Sequence, residues 1–183
     1  MRRVLDGFYR GCMILSCASI LIIVAVVFIQ VALNIVDWGA EQLGLPGLGL
    51  MIPSYSMFAG YGLAFATFLA LGPALRQGVH IRVTLLHSQM TARMQRCLFV
   101  FISCVGVISA VMITWALCSM AYESWEFGDK SSGLVPVLLW IPQSVLCFGA
   151  VAFLVACLDL LIEAIVTGRE PIHSETLLKE GSR

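Results

Sequence analysis

Charged residues are absent from four long stretches of this chain, and each of those stretches is strongly apolar. They are residues 11–36, 42–75, 97–122 and 131–158, with lengths of 26, 34, 26 and 28 residues. About 20 apolar residues in helical form cross the hydrocarbon core of a bilayer. The pattern therefore predicts four membrane-spanning helices.

Prolines and tryptophans near the ends of these stretches help to place the helices at about 8–34, 53–75, 97–121 and 139–165. Pro142 suits the first turn of a helix, and Trp38 and Trp140 suit the membrane–water interface. The apolar run that follows the basic N-terminal flank is too long for a cleaved signal peptide, so we expect an uncleaved first helix.

The segment between the second and third crossings has an amphipathic pattern. In residues 84–96, Leu86, Met90 and Met94 recur every four residues, while Arg93 and Arg96 occupy another face. This spacing predicts a short helix along the membrane interface, with its arginines toward lipid phosphates. The predicted fold is an all-α integral membrane bundle of four transmembrane helices with this interfacial helix between helices 2 and 3.

Composition agrees with a membrane protein. The 183 residues are 60% hydrophobic and 12% charged, and the mean hydropathy is +0.94, whereas soluble domains are about a quarter charged. The formal net charge of zero gives no case for a nucleic-acid partner. We expect one membrane domain, residues 1–167, followed by a polar cytoplasmic tail, residues 168–183.

Charge distribution predicts the orientation of the chain. Ten of the eleven basic residues lie before the first crossing, in the second loop or in the tail, whereas the first and third loops are acidic. Because basic loops stay in the cytoplasm, both termini and the second loop are predicted to be cytoplasmic. The predicted outer acidic residues are Asp37, Glu41, Glu123, Glu126 and Asp129.

Small residues recur on the second and fourth predicted helices, where they would allow close helix packing. They are Gly62, Ala66, Ala70 and Ala74 on the second helix, and Gly149, Ala152 and Ala156 on the fourth. These stripes could join the four helices or dock a separate membrane protein, and we favour the internal role.

A search for a functional site inside the membrane finds little. Scattered hydroxyls in membrane helices usually bond to their own backbone. Gln30 and Gln143 could bond across helices, which more often holds a bundle together than binds a substrate. Asp159 and Glu163 could pair with arginines of the second loop or be solvated, and we favour the solvated state. The seven cysteines are interpreted as small helix residues.

Transport, redox and haem proteins place ionisable or ligand groups within the membrane. Here the histidines lie in a loop or in the tail, and no nucleotide-binding motif or metal-ligand cluster appears. The residues therefore predict neither an enzyme nor a cofactor. They indicate a membrane-embedded accessory subunit.

Four motifs in order along the chain resemble the small membrane subunit of the tripartite ATP-independent periplasmic (TRAP) transporters. Residues 78–83 read G-V-H-I-R-V, and Trp38 and Glu41 match W-x-x-E. Residues 131–134 read S-S-G-L, and residues 139–142 read L-W-I-P. The resemblance spans about residues 5–167. One departure is Thr84, where members of the family commonly carry an acid.

The resemblance implies a three-part system in the bacterial inner membrane. A periplasmic solute-binding protein would deliver an organic anion to a large elevator-type permease driven by sodium, and this chain would be the scaffold, or stator, of that permease. A stand-alone small transporter and a membrane anchor of another complex remain alternatives.

On this hypothesis the charged residues have two roles. Those on the cytoplasmic side would contact lipid headgroups or the large subunit: Arg76, His80, Arg82, Arg93 and Arg96. Those on the periplasmic side would form an acidic rim, a possible contact for the binding protein: Asp37, Glu41, Glu123, Glu126 and Asp129. Trp38, beside Glu41 in the sequence, is a further possible docking residue. Trp140 and Pro142 belong to the motif that begins the last helix. A solvated interfacial charge that only sets topology is the alternative for each charged residue.

Overall fold

Four helices make up most of the computed structural model, which describes residues 2–43, 46, 49–76 and 92–167. They are α1 (Arg2–Gln42), α2 (Tyr55–Arg76), α3 (Ala92–Phe127) and α4 (Trp140–Thr167). All four are long and apolar enough to cross a membrane. The predicted all-α fold with four transmembrane helices is therefore confirmed, while the interfacial helix falls mostly outside the described residues.

The first and third helices extend at both ends beyond the apolar stretches that predicted them. α1 begins at Arg2 and ends at Gln42, whereas the sequence suggested about 8–34. α3 begins at Ala92, so the last five residues of the predicted interfacial segment continue directly into the third crossing. Apolar residues mark the part of a helix inside the hydrocarbon, but backbone hydrogen bonding can continue into the interface and water.

The helices form an open layer in the order α1, α2, α4, α3. α1 packs against α2, α2 against α4, and α4 against α3, while α1 and α4 touch only slightly. Within the described residues, α1 and α3 are therefore the edge helices. One end of the layer holds Arg76 and is called the Arg76 end; the opposite end holds the α3–α4 connection and is called the hairpin end.

Glycines allow the backbones of neighbouring helices to approach closely. A Cβ atom built on Gly149 of α4 would lie 2.8 Å from the carbonyl carbon of Phe68 in α2, and one on Gly72 would lie 3.0 Å from the carbonyl oxygen of Ala152. On the other side of α2, a Cβ on Gly62 would lie 2.7 Å from the Ile23 side chain of α1. Such small-residue contacts are the usual means of helix association in membranes.

Ser16 and Gln30 of α1 each form a hydrogen bond outside their own helix. The Ser16 hydroxyl donates to the backbone carbonyl of Ala66 in α2 over 2.7 Å. The Gln30 carbonyl oxygen accepts the Ile52 N–H over 2.8 Å, just before α2. Ser19 and Thr67 instead bond to carbonyls of their own helices. The expectation for hydroxyls was wrong at Ser16, and Gln30 bonds the segment before α2 rather than a residue of another helix.

The connection between α3 and α4 is a short hairpin, residues 129–139. The Ser131 N–H donates to the Val137 carbonyl over 2.8 Å, and the Leu139 N–H donates to the Asp129 carbonyl over 3.0 Å. The hairpin docks on the start of α2, where the Val135 N–H donates to the Ser54 hydroxyl over 3.3 Å. The hairpin therefore reaches from the α3–α4 edge to α2.

A disulfide joins Cys118 of α3 to Cys147 of α4, with their Cα atoms 5.6 Å apart. This separation lies within the usual range for disulfides. The interpretation of all seven cysteines as small helix residues was therefore wrong for this pair. The remaining cysteines are free: Cys12, Cys17, Cys97, Cys104 and Cys157.

Candidate assembly and docking surfaces

Arg76, the last residue of α2, joins three helices at its end of the layer. Its guanidinium forms an ion pair with Asp159 of α4 and lies 3.7 Å from a carboxylate oxygen of Asp6 in α1. The same guanidinium lies over the Tyr9 ring, 5.9 Å from the ring centroid, within the range of a cation–π contact. We call these four residues the Arg76 cluster.

The Arg76 cluster corrects the expectation for Asp159. The side chains of Arg76 and Asp159 are only 26% and 30% exposed, so the carboxylate is paired rather than solvated. A charged group at the edge of the membrane is stabilised by such pairing, because the alternative is an isolated charge in a poorly polar environment. Asp6 and Tyr9 were not among the predicted functional residues. The one available signal was Asp6, an isolated acid within a basic flank.

The side chains of the other residues predicted for the cytoplasmic surface lie outside the part of the chain that the structure describes. His80 and Arg82 lie outside the described residues. Arg93 and Arg96 lie in the first turns of α3, but their side chains also lie outside the described part of the structure. Their contact with lipid headgroups or with a partner subunit stays a prediction.

The acidic residues of the hairpin end fall into two groups. Glu41 is exposed near the end of α1, and Glu123, Glu126 and Asp129 are exposed at the end of α3 and the start of the hairpin. Because α1 and α3 are opposite edges of the layer, the acids do not form one continuous rim. Asp37 is less exposed than the others, and its carboxylate accepts the Gly49 N–H over 3.1 Å.

Aromatic residues accompany both acidic groups. Trp38 is exposed beside Glu41, and Trp125 is exposed between Glu123 and Glu126. Trp140 is the first residue of α4 and therefore lies at the same end. Indole rings at one level of a membrane protein are typical of an interface between lipid and water.

The motif residues at the start of α4 fit the hairpin that precedes them. Pro142 is buried in the first turn, where the missing N–H of proline costs no helical hydrogen bond. The Gln143 N–H donates to the Leu139 carbonyl over 3.2 Å. Gly133, in the S-S-G-L segment, packs so close to α2 that a Cβ there would lie 3.0 Å from the Ser54 hydroxyl.

The small-residue stripes lie largely between helices of this chain. Gly62 and Ala66 face α1, and Gly149 and Ala152 face α2. Ala156 is also buried, whereas Ala70 and Ala74 are partly exposed. Gly72, which was not among the predicted residues, belongs to the same α2–α4 contact because it lies beside Ala152.

An open groove of about 370 Å³ runs between α1 and α4 across α2. Its lining contains no ionisable side chain: Leu15, Ser19, Phe65, Leu69, Ser144, Val145 and Phe148. Among the described residues, no three His, Cys, Asp or Glu side chains come together as a set of metal ligands. The groove therefore offers apolar contact and two hydroxyls.

These features define a multi-pass membrane protein whose charged side chains lie toward the ends of its helices. The family described as "Tripartite ATP-independent periplasmic transporters, DctQ component" matches residues 51–167, which is more than half of the chain. The chain belongs to this family, and the matched region contains α2, α3 and α4. Comparisons with curated proteins and with solved structures return no match.

Proposed function

We propose that this chain is the scaffold, or stator, subunit of a sodium-driven TRAP transporter in the bacterial inner membrane. Membership of the DctQ family makes it the small subunit of a tripartite transporter. In the proposed role it holds the large elevator-type permease while that permease moves an organic anion delivered by a periplasmic binding protein. Both termini and the second loop lie in the cytoplasm.

The observation that carries this proposal is that specific contacts link neighbouring helices, and that the charged residues of the described helices lie toward the helix ends. Ser16 joins α1 to α2, the Arg76 cluster joins α1, α2 and α4, and the disulfide joins α3 to α4. Charges within membrane segments usually mark ion and substrate pathways. A layer of linked helices without charged residues at mid-membrane suits a fixed support better than a moving carrier.

Reconstitution into proteoliposomes tests the proposal. We expect sodium-driven uptake only when this chain, the large permease and the binding protein are all present. We also expect the chain to co-purify with the large permease, and deletion of either subunit to abolish uptake. Robust sodium-driven uptake by this chain alone would overturn the stator role and support a stand-alone transporter.

The hairpin end of the edge helix α3 is the proposed docking site for the binding protein. Glu123, Glu126 and Asp129 are exposed there at the hairpin end, and a basic surface on the binding protein would be attracted to them. Such steering acts mainly on the rate of association and weakens with salt.

Charge reversal tests the docking proposal. In Glu123→Lys/Glu126→Lys, uptake should require a higher concentration of binding protein, while the maximal rate and the expression level change little. Glu41→Lys, at the opposite edge, is the control, and it is compared with Glu123→Lys alone so that each variant reverses one exposed charge. Equal effects of both variants, or no effect of either, would contradict docking at the α3 edge.

A further inference from the structure

The cysteines of this chain divide between the two ends of the helix layer. Cys118 lies in the half of α3 nearest the hairpin, and Cys147 lies in the corresponding half of α4. Every free cysteine lies in the half of its helix that is nearer the Arg76 end: Cys12, Cys17, Cys97, Cys104 and Cys157. The bonded pair is thus separated from the free thiols by position across the membrane.

We propose that the Cys118–Cys147 disulfide is made from the periplasmic side and acts as a permanent clamp that holds edge helix α3 on α4. Disulfides form in oxidising compartments such as the bacterial periplasm, whereas cytosolic thiols are kept reduced. The proposal rests on the orientation in the proposed function, which puts the hairpin end in the periplasm. The positions of the cysteines therefore agree with an orientation that was inferred from charge alone.

α3 is the helix for which a covalent clamp has the largest effect. Within the described residues it packs extensively only on α4, and the hairpin that follows it rests on α2 through Ser54. The disulfide links residues 29 apart in sequence and so closes a loop that contains the whole hairpin. Such a link restricts the separated states of the two helices and keeps the hairpin close to α2.

The bond forms by ordinary thiol–disulfide exchange with a periplasmic protein oxidant that carries a reactive disulfide. One cysteine thiolate attacks a sulfur of that disulfide and gives a mixed disulfide, with the second sulfur of the oxidant leaving as a thiolate. The other cysteine thiolate then attacks the mixed disulfide and releases the oxidant as a dithiol. The chain loses two electrons and two protons, and the oxidant gains both.

Exchange must occur before the helices are fully embedded. Cys118 lies five residues before Glu123, the first charged residue after the apolar part of α3, which corresponds to about 7–8 Å along a helix with a rise of 1.5 Å per residue. A water-soluble oxidant reaches this depth poorly once α3 is in place. The bond is therefore formed during insertion and is afterwards protected from water-soluble reductants by the bilayer.

Counting thiols tests the bond directly. The full chain is purified from membranes without reductant, denatured in the presence of a maleimide, and weighed by mass spectrometry. Five adducts are expected before reduction, and seven after reduction and renewed labelling. Seven adducts before reduction would overturn the proposal. This count needs neither the large permease nor transport, so its failure is distinguishable from a failure of the stator role, which co-purification and uptake measure.

The compartment and the clamp are tested separately. In a bacterial host without its periplasmic dithiol oxidant, the number of maleimide adducts before reduction should rise from five to seven. An unchanged number would overturn formation from the periplasm.

The clamp is tested by thermal unfolding. Cys118→Ala and Cys147→Ala should each lower the melting temperature of the purified chain by the same amount, with no further loss in the double variant. Cys97→Ala, another exposed position on α3, should leave it unchanged. An equal loss in Cys97→Ala would overturn the clamp.

Discussion

Individual polar side chains form specific hydrogen bonds and ion pairs between the helices. The Arg76 guanidinium contacts acids from two other helices, and a partly buried pair of this kind behaves differently from a surface salt bridge. Removing one partner leaves the other charged in a poorly polar environment, so the loss exceeds the value of the contact itself. Arg76 therefore matters for the arrangement of α1, α2 and α4 at the Arg76 end.

Replacing Arg76 by glutamine should lower the free energy of unfolding in mixed micelles by about 2–4 kcal/mol, because Asp159 loses its ion-pair partner. Arg10→Gln is the matched control, since Arg10 is an exposed arginine near the same end and surface substitutions change stability by about 0.5 kcal/mol or less. The effects of Arg76→Gln and Asp159→Asn should be less than additive in the double variant. Full additivity would show that the two residues act independently.

Ser16 and Ser19 offer a second matched comparison at the residue scale. Ser16→Ala removes a hydrogen bond between α1 and α2, and such bonds contribute about 0.6 kcal/mol on average in membrane proteins. Ser19→Ala removes a bond within α1 only and should cost less. The measurement is again unfolding in mixed micelles. An equal or larger loss for Ser19→Ala would contradict a specific role of the Ser16 bond.

The residue-scale contacts show where prediction from sequence ends. The charges of Arg76 and Asp159 could be placed near the ends of crossings, because charges interrupt the apolar stretches. Pairing of Asp159 with an arginine was one of two alternatives, and the sequence could not decide between them, since the pair depends on α2 packing against α4, which is set by contacts between distant segments. The same holds for Cys118 and Cys147, which approach only because α3 packs on α4.

At the scale of helices, the α2–α4 contact depends on glycine. Gly149→Ala should lower the free energy of unfolding relative to Gly60→Ala, because a Cβ at Gly149 meets the Phe68 backbone at 2.8–2.9 Å, whereas a Cβ at Gly60 meets nothing within 4 Å. Both changes gain a similar helix propensity of about 1 kcal/mol, so their difference isolates the steric cost of about 1–3 kcal/mol. Equal stabilities would show that the two helices adjust without loss.

The number and approximate position of the helices could be predicted because hydrophobic length is a direct requirement of the bilayer. The ends could not, as the extension of α1 to Gln42 illustrates. The spacing of small residues includes Gly62 and Gly149, where neighbouring helices approach closely, but the equally close Gly72 lies outside the four-residue repeat and was missed. A repeat identifies one face of a helix, whereas α2 packs on two neighbours.

For the molecule as a whole, the open layer fits the proposed stator role. Among the described helices, packing in a line leaves both faces of the layer and the outer sides of α1 and α3 uncovered, so their apolar surface is large for a chain of this size. The contacts between helices meanwhile oppose sliding of one helix along another. We expect a fixed support for a larger permease to need both a broad surface and helices that keep their relative positions.

Orientation is the whole-molecule property on which the docking edge and the periplasmic disulfide both depend. In a background with the five free cysteines replaced by alanine, Ser132→Cys in the hairpin should react with a membrane-impermeant maleimide in intact cells. Ser182→Cys in the tail should react only after the cells are permeabilised, because the basic segments are predicted to keep the termini in the cytoplasm. The opposite pattern would put Glu123 and Glu126 on the cytoplasmic side, where a periplasmic binding protein cannot reach them. It would leave the scaffold role without a docking edge, and it would leave the Cys118–Cys147 bond without an oxidising compartment.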